Sequence, residues 1–268
     1  VRVAGKDSPG TVPITWSNVG SDALPTALEA THPAIEHQKR LDMLTNLGLL
    51  ESAAEEADYW VKVCEPAQKT SAKLALYDIL GQLGHYRDGI RFAEKILDDM
   101  STQETEPAWL SKLWRVSYPR GYWKEILKAS EEWRVDPFLV LAVIREESRF
   151  NHRATSRSRA MGLMQIIPST GRKIAERLNL PGYSTRKLYD PQTNISMGTY
   201  YLSHLIESFG HEALALAAYN GGPGRVSKWQ KRWGEEITQL DLDEFVEYIP
   251  IRETRNYVKK VLQSYIRY

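Results

Sequence analysis

The sequence predicts an all-α protein. From Pro33 to Met100, apolar residues recur at spacings of three and four, as they do on the buried face of a helix. Strand patterns, in which apolar and polar residues alternate, are missing from this region. Further along, Asp136-Pro137 forms a strong helix start, because aspartate caps free N–H groups and proline suits the first helical position. These observations together favour packed helices.

Length and composition exclude several classes of protein. The 268 residues allow one large domain or two modest ones. Lysines and arginines number 35 against 34 acidic residues, so the formal charge is +1, which removes the simplest case for a nucleic-acid binder. The longest apolar run, Phe138 to Ile144, is far shorter than the ~20 residues of a membrane span. We therefore predict no transmembrane helix.

The first 30 residues differ from the rest of the chain. Residues 1–30 are rich in glycine and proline and have little periodicity, which predicts an extended arm. The chain begins with Val1 rather than methionine, and no charged-then-apolar leader follows. We expect a processed or trimmed form, without a signal peptide in this chain.

The segment 31–116 is predicted to form helical hairpins. The pair Leu47-Gly48 recurs 36 residues later as Leu83-Gly84, an offset close to the 34 residues of tetratricopeptide-like helix-turn-helix repeats. Two degenerate copies leave open whether this is a true superhelical repeat or an ordinary pair of helical hairpins. Either reading predicts antiparallel helix pairs, which could present a surface to a protein partner.

A domain boundary is predicted near residue 116. It lies between a polar segment, Ser101 to Pro107, and a second break at Pro119-Arg-Gly121. Residues 1–116 carry 12 basic and 17 acidic residues, whereas 117–268 carry 23 and 17. The overall charge is thus the average of an acidic helical region and a basic C-terminal domain, 117–268.

The helix that begins at Pro137 carries the first candidate for catalysis. Its run Phe138 to Ile144 is apolar on every side, which is typical of a helix at the centre of a domain. Glu147 follows on the face of Val140 and Val143. A carboxyl held against such a face loses hydration, so its pKa rises, as a general acid requires. Position alone does not separate Glu147 from Glu146, nor a catalytic acid from a simple helix end.

The segment that follows is basic and free of acidic residues. Between Ser148 and Ala175 there is no aspartate or glutamate, while five arginines precede Lys173. Such a segment suits an anionic polymer.

Four short motifs in the C-terminal domain resemble, in order, those of the soluble lytic transglycosylases. The motifs are Glu147-Ser148, Gly162-Leu163-Met164-Gln165, Ala218-Tyr219-Asn220-Gly221-Gly222-x-Gly224, and Glu247-Tyr248-Ile249-Pro250 running into Glu253-Thr254-x-x-Tyr257-Val258. The resemblance covers about 117–268 and implies a lysozyme-like α fold. It also implies cleavage of the β-1,4 bond between N-acetylmuramic acid and N-acetylglucosamine in peptidoglycan, with 1,6-anhydromuramic ends. The N-terminal hairpins resemble, more loosely, the superhelical region of that family.

The resemblance also implies roles for individual residues. Glu147 takes the position of the single catalytic acid, which then acts as base while the substrate's acetamido group assists. Substrate-binding or supporting roles are implied for Ser156, Met164, Gln165, Tyr219, Asn220, Glu253 and Tyr257.

Each of these motifs also has a purely structural interpretation. Gly162 to Gln165 could form a tight turn into a helix capped around Ser169-Thr170, and the glycines after Asn220 suit a helix C-terminus. Ser156 could be a solvated loop hydroxyl. Glu253 could form a surface ion pair, and Tyr257 could be a half-buried tyrosine one helical turn further on. The spacing of Trp229 and Trp233 favours packing over a sugar platform.

Two points remain open within the resemblance. Arg159 stands where relatives usually place a glycine, which leaves the conformation of its loop undetermined. No second carboxylate lies close to Glu147 in the segment that follows it, but Asp190 or Glu253 could fold into the site.

Competing functions follow from the same residues. The nearest is a true muramidase that adds water, and another is a non-catalytic peptidoglycan-binding scaffold. Nucleic-acid binding by the basic domain lacks a recognisable motif. The six histidines show no compact ligand pattern, so we predict no metal and no cofactor. The resemblance places the protein in the bacterial periplasm or cell envelope, with peptidoglycan strands as its partner.

Overall fold

A computed structural model describes residues 32–99, 109–233 and 242–268. In these ranges the chain forms thirteen α-helices, two 3-10 helices and only isolated β-bridges, which confirms the all-α fold class. The predicted arm, 1–30, and the polar segment at 101–107 lie outside the described residues. Among the helices that are described, none has both the length and the apolar character needed to cross a membrane.

The helices follow one another with short connections. In order they are α1 (His32–Asn46), α2 (Leu50–Val63), α3 (Lys69–Gln82), α4 (Arg87–Asp99), α5 (Leu110–Ser117), α6 (Trp123–Trp133), α7 (Pro137–Ser148), α8 (Pro168–Arg177), α9 (Pro191–Phe209), α10 (Glu212–Gly221), α11 (Pro223–Trp233), α12 (Leu242–Glu247) and α13 (Arg252–Arg267). The 3-10 helices are Pro66–Gln68 and Thr185–Tyr189.

The two Leu-Gly pairs form the same helix-ending turn. Gly48 and Gly84 follow α1 and α3 with φ of 73° and 86°, a left-handed conformation that glycine adopts without strain. After each glycine, the next amide donates to a carbonyl five residues earlier, as in a Schellman motif. The repeat therefore places two equivalent turns between successive antiparallel helices.

The N-terminal helices form two small cores. Residues of α1, α2 and α3 share one core, which includes Leu41, Trp60 and Ile79, and α3, α4 and α5 share the next. Ile90 of α4, however, belongs to the large core of the C-terminal helices. The boundary placed near residue 116 falls in the last turn of α5 and stays a prediction.

Helix α7 lies at the centre of the large core. The Asp136 side chain accepts a hydrogen bond of 2.7 Å from the amide of Phe138 and so caps the helix, as the sequence predicts. Every residue from Leu139 to Arg145 is buried. The chain leaves α7 through two consecutive left-handed residues, Arg149 and Phe150, with φ of 48° and 60°. Non-glycine residues in this region are sparsely populated and strained, and such positions cluster at functional sites.

A tight loop follows α7 and leads into α8. Met161 bridges both Thr155 and Ile166, so residues 162–165 form a closed turn between paired backbone segments. The prediction of a helix cap around Ser169-Thr170 is wrong. Helix α8 already begins at Pro168, because proline fits the first helical position and needs no N–H partner there.

Candidate active site

The Glu147 carboxyl lies in the last turn of α7, enclosed by the packed helices α10 and α13. Its residue surface is partly open to solvent, but the carboxyl itself is surrounded by protein. Burial raises its pKa from 4.5 to about 7, and the neighbouring Glu146 adds to the rise. None of the described cations forms an ion pair with it. The carboxyl is therefore poised to hold and release a proton near neutral pH.

Tyr257 of α13 faces this carboxyl. Its hydrogen-bonding influence lowers the pKa of Glu147, although burial outweighs it. The buried Tyr257 hydroxyl has no partner of full hydrogen-bond geometry among the described residues, so its contact with Glu147 is long or poorly aligned. Such contacts in a substrate-free site tighten when the substrate binds. Tyr257 is thus placed to orient the carboxyl.

Tyr219 of α10 is the second tyrosine beside Glu147. Its hydroxyl donates a hydrogen bond of 2.7 Å to the carbonyl oxygen of Met164. Burial, and secondarily the charge of Glu147, raise the pKa of this phenol well above 10. Tyr219 therefore stays neutral and ties the 162–165 turn to the site.

Glu146 has a different environment from Glu147. One of its oxygens binds Arg145 at 2.5 Å and accepts a hydrogen bond of 2.7 Å from the Ser264 hydroxyl. An ion-paired carboxylate resists protonation, whereas an unpaired buried one favours it. The surroundings of the two side chains make Glu147 the candidate acid, which sequence position alone did not decide.

The Gly162-to-Gln165 turn packs against the neighbouring helices. A Cβ on Gly162 would lie 2.0 Å from the carbonyl oxygen of Leu188, so glycine is required for close approach between two backbone segments. The Met164 side chain is wholly buried and contacts Gly198, so it faces the core and not the apolar sugar contact that was expected. The Gln165 amide donates to the carbonyl oxygen of Gly162 at 2.8 Å.

Asn194 of α9 holds this turn in place, and the sequence analysis missed it. Its side chain is fully buried and makes three hydrogen bonds: it accepts from the Met164 amide at 2.7 Å and donates to the carbonyls of Met161 and Leu188 at 2.9 Å and 2.8 Å. A signal existed, since Asn194 is a polar residue on the otherwise apolar inner face that includes Met197.

The remaining predicted site residues lie further toward solvent. Ser156 is exposed, and its hydroxyl accepts from the Ala160 amide at 3.0 Å, which closes a turn. Asn220 is exposed and accepts a 3.0 Å hydrogen bond from Thr254. Glu253 is exposed in the first turn of α13, four residues before Tyr257. The structure thus brings Tyr219 and Tyr257 to Glu147, with Met164 behind Tyr219.

The two alternatives for a second carboxylate differ in what they contact. Asp190 caps α9, where one of its oxygens accepts from both the amide and the hydroxyl of Thr193. Glu253 has no such bond and its carboxyl is open to solvent. Trp229 and Trp233 pack against the core and against each other, with ring centres 6.0 Å apart.

Arg159 adopts the conformation for which relatives' glycine is suited. Its φ is 62°, and its amide donates to the carbonyl of Ser156 in the exposed turn. Arg153, Arg157 and Lys173 are also exposed, so this loop and the start of α8 offer positive charge to the solvent.

We expect Arg159→Gly to stabilise the protein slightly. A left-handed conformation costs a non-glycine residue about 1–2 kcal/mol, and the extra chain entropy of glycine offsets about 0.5–1 kcal/mol of that. The expected gain is therefore about 0.5–1 kcal/mol, measured by chemical denaturation. Arg157→Gly is the control, since Arg157 does not have a positive φ, and it should destabilise. A loss of stability in Arg159→Gly would contradict the assignment of strain.

Comparison with protein families identifies the C-terminal part of the chain. Residues 124–242 match the family model described as "Transglycosylase SLT domain". The soluble lytic murein transglycosylase of Escherichia coli is 38% identical over 177 residues, which cover 63% of this chain and 26% of that protein. The chain therefore spans about a quarter of the length of this relative.

Solved structures extend the likeness to the N-terminal helices. The lytic transglycosylase Slt of Pseudomonas aeruginosa, an inactive glutamate-to-glutamine mutant, has a TM-score of 0.62 at 27% identity and covers 86% of this chain and 34% of that one. A 70-kDa soluble lytic transglycosylase in complex with bulgecin A has the same TM-score at 28% identity, over 92% of this chain and 37% of that one. The predicted fold, helical hairpins before a lysozyme-like α-helical domain, is confirmed.

Proposed function

Since residues 124–242 belong to the transglycosylase SLT domain family, we propose that this protein is a peptidoglycan lytic transglycosylase. It would cleave the β-1,4 bond between N-acetylmuramic acid and N-acetylglucosamine and leave 1,6-anhydromuramic ends. The proposal depends chiefly on one observation: the unpaired Glu147 carboxyl, whose pKa burial raises to about 7 beside Tyr219 and Tyr257.

In the first step, Glu147 acts as a general acid. A pKa of about 7 leaves much of the carboxyl protonated at neutral pH, so it can donate a proton to the departing glycosidic oxygen. As that C–O bond breaks, the acetamido oxygen of the muramic sugar forms a bond to the anomeric carbon. Substrate assistance of this kind replaces the enzyme nucleophile of two-carboxylate glycosidases.

In the second step, the Glu147 carboxylate acts as a base. It takes the proton of the C6 hydroxyl of the same sugar, and the C6 oxygen attacks the anomeric carbon while the acetamido oxygen leaves. The product is the 1,6-anhydro sugar, and Glu147 is protonated again. No water is consumed, so the cycle requires only one enzyme carboxyl.

Other groups support this chemistry. Glu146 is held in an ion pair and Asp190 is used as a helix cap, which favours a mechanism with a single free carboxyl. The Tyr257 hydroxyl is placed to orient Glu147, and Tyr219 links it to the 162–165 turn. The exposed basic loop suits the carboxylates of peptidoglycan stems.

The masses of the digestion products test this function. Purified peptidoglycan treated with the protein should release muropeptides that are lighter by one water than the hydrolysed fragments, with non-reducing anhydro ends. Fragments that carry only water-added, reducing ends would identify a muramidase instead. Absence of turnover, with retained binding to insoluble peptidoglycan, would favour the scaffold alternative.

This function places the protein in the bacterial cell envelope, where its substrate lies. A protein partner for the helical region, and the exact compartment, stay predictions.

A further inference from the structure

A buried cluster of charges behind the active site joins the N-terminal helices to α7. Its centre is Arg145, which is 4% exposed. The guanidinium lies 4.4 Å from the ring centre of Tyr118 and donates a hydrogen bond of 2.9 Å to the carbonyl of Ser117. A buried cation of this kind needs paired carboxylates, because its desolvation is costly.

Two carboxylates share Arg145. Glu146, the neighbour of Glu147, binds it at 2.5 Å, and Glu94 of α4 binds it at 3.0 Å. Burial lowers the pKa of Arg145, but the carboxylates of Glu146 and Glu94, together with Tyr118, raise it above its ordinary value. Arg145 is therefore charged, and its charge is balanced from two separate parts of the chain.

Glu94 also contacts the residue that ends α7. Its second oxygen accepts from two nitrogens of Arg149, at 3.3 Å and 3.2 Å. Arg145 and Arg149 are four residues apart, so they lie on one face of the helix, with Glu147 between them in the chain. Arg149 has the left-handed conformation at the exit from α7. A single carboxylate thus holds both sides of the turn that carries Glu147.

We propose that Glu94 is a positioning residue for the active site: by binding Arg145 and Arg149 it fixes the last turn of α7 and couples the N-terminal helices to Glu147. The proposal rests on the function proposed above for Glu147. It gives the N-terminal helices a direct part in the catalytic step. Ile90, one turn before Glu94, packs in the core of the C-terminal helices and supports the same coupling.

Removal of the Glu94 charge should change the titration of Glu147. The groups that face Glu147 are Glu146 on α7, Tyr219 on α10 and Tyr257 on α13, and both tyrosines are neutral. Without Glu94, two guanidinium groups keep only Glu146 as a counter-charge. The added positive potential favours the ionised form of Glu147 and lowers its pKa.

The test compares Glu94→Gln with the wild-type protein. Carbon NMR of protein with labelled glutamate carboxyls, with Glu147 assigned through Glu147→Gln, should show the midpoint of Glu147 lower by roughly half a pH unit. The alkaline limb of the kcat/KM profile should move down by the same amount, which is a roughly threefold loss of activity at pH 8.

Asp78→Asn is the matched control. Asp78 also joins two N-terminal helices, through Arg115 at 3.5 Å, but it does not contact Arg145 or Arg149. It should lower the thermal midpoint of unfolding to a similar extent and leave the Glu147 titration unchanged. An unchanged titration in Glu94→Gln, or the same change in both variants, would overturn the proposal. The NMR readout decides this even if the wild-type protein turns over no peptidoglycan.

Discussion

Glu147→Gln is expected to abolish peptidoglycan cleavage. The amide keeps the shape of the side chain but can neither donate the acid's proton nor accept that of the C6 hydroxyl, so both steps of the proposed cycle are lost. General acid–base catalysis contributes about 10²–10⁴-fold, and we expect a loss of at least about 10³-fold. The measurement is the release of soluble muropeptides, while cosedimentation with insoluble peptidoglycan should show that binding is retained.

The same change one residue earlier is the control. Glu146→Gln removes an ion pair with Arg145 but leaves the Glu147 carboxyl in place, so its loss should be about tenfold or less. If Glu146→Gln were inactive and Glu147→Gln active, the acid would be Glu146. In the wild-type protein, activity should fall as the pH rises through about 7, because the acid must be protonated.

The stability of Glu147→Gln should carry a pH signature. A carboxyl whose pKa rises from 4.5 to about 7 on folding stabilises the folded state least once it is ionised, so the wild type loses stability as the pH rises through 7. Glutamine removes this loss. The variant should match the wild type near pH 4 and exceed it at pH 8 by roughly 1–3 kcal/mol. Equal stability at both pH values would indicate that the Glu147 pKa is not raised.

The features that could be predicted from the sequence are those that depend on local pattern. The Asp136 cap, the buried course of α7 and the exposure of Glu147 to an apolar face all follow from residues within about a dozen positions. The equivalent turns at Gly48 and Gly84 follow from the Leu-Gly pairs in the same way.

The features that escaped prediction depend on contacts between distant parts of the chain. Glu146 and Glu147 differ because Ser264 and Arg145 reach only one of them, and those contacts are set by the packing of α7 against α13. Met164 was expected to face the substrate, since a short motif does not indicate which side of a turn meets the core. Asn194, 30 residues from the turn that it holds, follows from no local pattern.

Asn194→Ala is expected to destabilise the protein and to impair the active site. The change leaves the Met164 amide and the carbonyls of Met161 and Leu188 buried without their partner. Each unsatisfied group costs about 1–3 kcal/mol, and because such losses are not additive we expect a total of about 3–4 kcal/mol. The measurement is the shift in denaturation midpoint, with hydrogen exchange to locate the loss at 161–166.

Activity should fall along with stability, even at temperatures where the variant is folded. The Met164 carbonyl accepts the hydrogen bond of Tyr219, so a loosened turn releases the tyrosine that lies beside Glu147. Thr199→Val is the matched control on the same buried helix, because its hydroxyl meets only the Met164 sulfur, at 3.9 Å. It should cost less than about 1 kcal/mol. If Asn194→Ala were as mild as Thr199→Val, the turn would be held by its own backbone pairing between Met161 and Ile166, and Asn194 would not be needed to build the site.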